Sequence, residues 1–108
     1  MDYPITITDL PEADIPFEGV EGWLMQGENQ QIVFMDIAPI GAVTEHKHAA
    51  QFGVVLEGEM SLTIGGETNL YKKGDTYSVP EGVLHAAVFH SQVKVIDVFF
   101  EKSRYNVK

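Results

Sequence analysis

The chain has no cysteine, a single arginine and a single tryptophan, and no lysine or arginine before Lys47. Each scarcity excludes something. Without cysteine there are no disulfides, no thiolate metal ligands and no nucleophilic thiol. Nine acidic residues precede Lys47, seven of each sign follow from there onward, and the net charge is −9. Such a surface repels phosphate backbones and anionic lipid, which argues against nucleic acid and membrane as partners. Long apolar runs are missing too. The best, "QQIVFMDIAPIGAV", is interrupted by Asp36 and falls short of the roughly 18 residues of a membrane span. The opening "MDYPITITDL" carries neither the basic flank nor the apolar stretch of a secretory signal. The expectation is a soluble, cytoplasmic protein.

What is present has the period of strands. "GWLMQG", "QIVFMDI", "QFGVVLEG", "MSLTIGG", "TYSVP", "HAAVFH" and "KVIDVFF" are short runs rich in β-branched and aromatic residues. Turn signals separate them: "GEN" at 27–29, "EGE" at 57–59, "GG" at 65–66 and "KKGD" at 72–75. No capped apolar stripe of helical period runs beyond a turn or two. The pattern predicts an all-β sandwich or barrel, with Gly65-Gly66 as a two-residue hairpin turn.

With 108 residues the chain forms one domain. Residues 1–18, with Pro4, Pro11 and Pro16, read as an extended arm or edge strand. In "QVKVIDVFFE", alternation sends Val93, Val95, Asp97 and Phe99 to one side and Ile96, Val98 and Phe100 to the other. Both sides are apolar, so one faces the core and the other needs a second layer or a second subunit. A homodimer is expected.

"EHKHAAQ", residues 45–51, holds two of the four histidines. On a strand, His46 and His48 would point to one face while Glu45 and Lys47 face away. Imidazole is the commonest protein ligand for divalent transition metals, yet two ligands alone do not make a site. The second half lies in "GDTYSVPEGVLHAAVF", residues 74–89, where Pro80 and Gly82 shape a turn before His85. His90, in "FHSQ", reads as a turn residue rather than a ligand. Met25, Met35 and Met60 read as core filler, while Trp23, Phe52 and Tyr77 are aromatics able to line a sugar-sized pocket, though aromatics on strands are more often core or dimer contacts.

Gly41, His46, His48, Gln51 and Gly58, followed by Gly74, Pro80, Gly82 and His85, resemble the two signature motifs of the cupin superfamily across about residues 30–100. Two gaps in the first motif are one residue short, Gln51 stands where Glu is usual, and Phe89 stands where the second motif ends in Asn. The resemblance implies a single-domain jelly-roll barrel holding one divalent transition metal (nickel, zinc, iron, manganese or cobalt) on His46, His48, Gln51 and His85. That ligand set is neutral, so the ion would keep its full divalent charge.

Asp97, in mid-strand, is either a general acid or base or a charge paired with a neighbouring backbone group or Lys. Arg104, the sole arginine, suits bidentate capture of a carboxylate. "HKHAAQ", "PEGVLHAAV" and the terminal "VIDVFF" followed by Arg104 look like the pectin-degradation cupins that linearise unsaturated uronates. That resemblance implies Asp97 and Arg104 as catalytic residues, Phe99 as a substrate-pocket residue, and an anionic sugar acid as substrate. An iron-dependent dioxygenase and a non-catalytic small-molecule binder are the competing expectations, because the fold alone does not separate them.

Overall fold

The computed structural model describes residues 2–108. One short helix and nine strands follow in chain order: α1 (Ile5–Thr8), β1 (Val20–Gln26), β2 (Gln31–Ile37), β3 (Gly41–His46), β4 (Gln51–Glu57), β5 (Glu59–Ile64), β6 (Glu67–Lys72), β7 (Thr76–Val79), β8 (His85–Phe89) and β9 (Val93–Phe99). They form two antiparallel sheets, one of order β1-β2-β9-β4-β7 and one of order β3-β8-β5-β6. This is the jelly-roll arrangement the motifs imply. No helix among the described residues is long and apolar enough to cross a membrane.

Alternation explains which side chains meet between the sheets. In β2, Gln31, Val33, Met35 and Ile37 are buried while the residues between them are half-exposed. In β9, Val93, Val95, Asp97 and Phe99 turn inward. The apolar ones among these join Leu24, Val55, Met60, Leu62 and Tyr77 in one buried cluster, whose removal from water is the main stabilising term of such a fold. The Gly65-Gly66 turn between β5 and β6 has φ of 56° and 86°, the doubly positive pair that a type I′ hairpin needs.

The opposite face of the five-stranded sheet is also apolar. Met25, Ile32, Val98 and Phe52 fall in one cross-strand row, and Trp23, Phe34, Ile96 and Val54 in the next. The N-terminal arm covers one corner of it. Tyr3 meets Trp23 and Phe34 edge-on at 5.8 and 6.1 Å, and its hydroxyl donates to the Met35 carbonyl at 2.8 Å. The arm is not the extended segment expected from its prolines, because residues 5–8 close into a helical turn and only Glu12 and Ala13 make isolated bridges, to Trp23 and Val107.

Parity overturns one side-chain expectation and decides two others. Leu24 and Gly22 face the core, so Trp23 and Met25 face outward, and Met25 is exposed rather than core filler. Phe52 is exposed for the same reason, since its neighbours Gln51 and Gly53 are the buried ones. Met35 and Met60 are buried as expected.

Candidate metal centre

The two histidines of "HKH" do not share a strand. β3 ends at His46, which pairs across the sheet with His85 at the start of β8, while His48 lies in the link leading to β4. A β-bulge between Val43 and His46 and the turn into β4 do what strand parity was expected to do. The three rings converge, with centroids 4.2 Å apart for His46 and His85, 4.6 Å for His48 and His85, and 5.4 Å for His46 and His48. One ring nitrogen from each lies within 4.8 Å of the others, forming a group that could hold a metal ion.

Hydrogen bonding fixes which nitrogen is available. Nδ1 of His46 lies 2.9 Å from the Thr44 carbonyl, that of His48 2.7 Å from Ala49, and that of His85 3.0 Å from Val83. A carbonyl only accepts, so each Nδ1 carries the proton and each Nε2 keeps a lone pair. Burial, above all, lowers the pKa of His48 and His85, and the positive charge of Arg104 and of the neighbouring rings adds to it. These imidazoles therefore favour the neutral, metal-binding state.

Gln51 opens β4 beside this cluster and is buried. Its amide donates to Asp97, whereas its Oε1 is buried without a hydrogen-bond partner. A buried carbonyl oxygen left unpaired costs about 1–3 kcal/mol. A cation at the three-histidine group would satisfy it. The donor set of three imidazole nitrogens and one amide oxygen thus fits a divalent ion.

Asp97 sits behind Gln51, and its partners are neither a lysine nor the backbone. The Tyr77 hydroxyl donates to Asp97 Oδ1 at 2.5 Å. Burial pushes the Asp97 pKa up to about 6, against the hydrogen bonds from Tyr77 and Gln51, which pull it down. Burial and the adjacent carboxyl raise Tyr77 well above the usual range, so the phenol stays a donor. Gly53 makes the pair possible. It is the cross-strand neighbour of both Tyr77 and Asp97, and a Cβ there would stand 2.1 Å from the Tyr77 ring and 2.4 Å from Asp97 Oδ1. Sequence reading passed over Gly53. Its signal was the register, in which a residue without a side chain separates an acid from a phenol one strand away on each side.

Phe99 lies between the metal group and the cation, with its ring 5.4 Å from that of His48 and 5.9 Å from the Arg104 guanidinium carbon. Arg104 follows β9 and stacks on Tyr105 at 4.9 Å. No acidic side chain among the described residues pairs with it, and its Nε is buried without an acceptor. The three histidines, Gln51, Asp97, Phe99 and Arg104 line one cavity of about 100 Å³ between the sheets, and Tyr77 and Tyr105 reach into it as well. Trp23 and Phe52 do not, since both face outward. His90 is exposed, held by Ser61 Oγ at 2.7 Å, and takes no part in the cluster.

Comparison with known proteins agrees with this architecture. The structure resembles KdgF from Halomonas sp. (TM-score 0.74, 23% identity, covering 85% of this chain and 86% of that one). It also resembles an RmlC-like cupin from Shewanella frigidimarina (0.76, 23%, covering 89% and 87%). A third resemblance is to a variant of oxalate decarboxylase from Bacillus subtilis (0.73, 22%), where it matches 90% of this chain and only 29% of the larger enzyme. No curated protein sequence matches the chain. Residues 33–99, which run from the second strand to Phe99 and include every ligand candidate, match the cupin domain, and the chain belongs to the cupin family.

Proposed function

We propose that the protein is a metal-dependent enzyme that converts 4,5-unsaturated uronate monosaccharides to their linear keto forms. The observation that carries this reading is Arg104, a cation in the cavity wall with no carboxylate partner among the described residues and a buried Nε–H lacking an acceptor. A guanidinium so placed suits a carboxylate-bearing ligand, which it can grip through two parallel hydrogen bonds. The resemblance to KdgF supports the same direction.

An ion on His46, His48, Gln51 and His85 would supply Lewis acidity undiminished by any anionic ligand. The chain's own residues supply the rest. Ring opening followed by ketonisation is an isomerisation, so a proton must leave one atom and return to another, with no co-substrate. Asp97, with its pKa raised to about 6, exchanges protons near neutral pH, and the Tyr77 phenol holds its carboxyl in place. Arg104 orients the substrate by its carboxylate, and the Phe99 ring forms the apolar wall between the two polar groups. A cytoplasmic location is part of this proposal, as is a homodimer formed through the apolar outer face of the five-stranded sheet. Phe52 and Phe100 there are 41% and 58% exposed, and light scattering that returns a monomer at high micromolar concentration removes the dimer.

The test of function follows the loss of the unsaturated uronate's absorbance. Metal-loaded wild-type protein should accelerate it, stripped protein should not, and Asp97→Asn should lower turnover by roughly 10²-fold while retaining metal. If loaded wild-type protein gives no acceleration, the uronate assignment is wrong. Saturation without turnover would then indicate a binder, and activity dependent on oxygen and ferrous iron a dioxygenase.

A further inference from the structure

The segment after β9 carries Arg104, and two glutamines hold that segment on either side of it. Gln26 and Gln31 are cross-strand partners at the end of the β1–β2 hairpin. Gln31 is 1% exposed, an unusual place for an amide unless each of its polar groups is engaged. They are. Its Nε2 donates to the Tyr105 carbonyl and to Gln26 Oε1, both at 2.8 Å, and its Oε1 accepts from the Tyr105 N–H at 3.0 Å. Gln26 Nε2 in turn donates to the Lys102 carbonyl at 3.0 Å. The tail is thus gripped at residues 102 and 105.

Beyond the grip, the tail's backbone is tied at its start, where Phe100 N donates to the Ala50 carbonyl at 2.9 Å, and at its end to the N-terminal arm, where Asp14 N donates to the Asn106 carbonyl and Lys108 N to that of Glu12, each at 2.8 Å. Residue 104 itself lies over the rings of Phe99 and Tyr105, its guanidinium carbon 5.9 and 4.9 Å from their centroids. Tyr105 is therefore both the residue that Gln31 clamps through its backbone and the one on which the guanidinium rests. A side-chain amide that binds both the N–H and the C=O of one residue mimics a strand partner, and it fixes the position of that residue in two directions.

We propose that Gln31, assisted by Gln26, is a positioning residue that sets where Arg104 meets an anionic ligand. Gln31 does not line the cavity and touches no ligand. It acts through the main chain of Tyr105, and the preference for a carboxylate-bearing ligand depends on it. The inference rests on the uronate reading for its ligand but not for its geometry.

Two measurements on the metal-loaded full chain test it. Arg104 is the only arginine, so its Nε–H gives one signal in the nitrogen-15 NMR spectrum, readable with no ligand present. Gln31→Leu, close in volume and unable to hydrogen-bond, should shift or broaden that signal while metal content stays at the wild-type level. It should also weaken unsaturated mono-uronate binding roughly 10-fold, and this loss should vanish in an Arg104→Ala background. Gln26→Ala, at the exposed end of the clamp, should act in the same direction but less, and it serves if Gln31→Leu does not fold. An unchanged Arg104 signal, or an equal loss of affinity with and without Arg104, overturns the proposal. If wild-type protein binds no uronate, the functional reading fails instead, and the Arg104 signal alone upholds or overturns the clamp.

Discussion

The inward face of β9 has two ends of opposite character. Val93 and Val95 are 0% and 1% exposed and lie within the apolar cluster. Two positions further along the same face, Asp97 is equally buried but polar, and Phe99 stands beside the metal candidates. The first end is complete in itself. The second leaves Gln51 Oε1 and Arg104 Nε buried and unpartnered. Such atoms cost stability unless something arrives to satisfy them. The strand therefore anchors the fold at its start and finishes beside two residues, Gln51 of β4 and Arg104 of the tail, whose buried polar atoms lack partners, where sites are expected to break the rules that the rest of the sequence obeys.

This contrast predicts that the two ends fail differently. The largest effect is expected from the ligands: replacing His46, His48 or His85 by Ala should take metal from about one ion per chain to none. The circular dichroism of the sheets should remain, because the apolar end is untouched. Gln51→Ala should weaken metal binding without abolishing it. Metal content unchanged in the His46→Ala, His48→Ala double variant would sink the site. A smaller effect of the opposite kind is expected at the other end. Val93→Ala removes two buried methyl groups and should cost about 2 kcal/mol in denaturant unfolding, with metal stoichiometry unaltered. If Val93→Ala also released the metal, the two ends would be one cooperative unit and the contrast would fail.

Much of this was legible in the sequence. Alternation and turn residues gave the strands, because burial on one face imposes a period of two whatever the tertiary detail. Three histidines at motif spacing marked the ligand group, although the expected mechanism, two of them on one strand, was wrong. A bulge and a link bring them together, and bulges have no fixed signature in residue type. What stayed hidden depends on register. Gly53 is unremarkable until it is known to lie between Tyr77 and Asp97, and Gln31 reads as an ordinary strand residue until the tail folds back on it. Met25 was misplaced, and Trp23 and Phe52 were left open, because hydrophobicity alone does not say which face of a two-sided apolar sheet is inside.

Arg104 reaches the cavity on a segment outside the sheets, while the histidines and Gln51 belong to the barrel strands and their links. The division has a consequence for how such a protein can change. A substitution at Arg104 alters the charge presented at the cavity without changing a residue of any strand, so the three-histidine group can stay in place while that charge is rewritten. Under the proposed function, choice of ligand and binding of a metal are separable traits, and a graft of the tail from one small barrel to another is the simplest way to move the former without the latter.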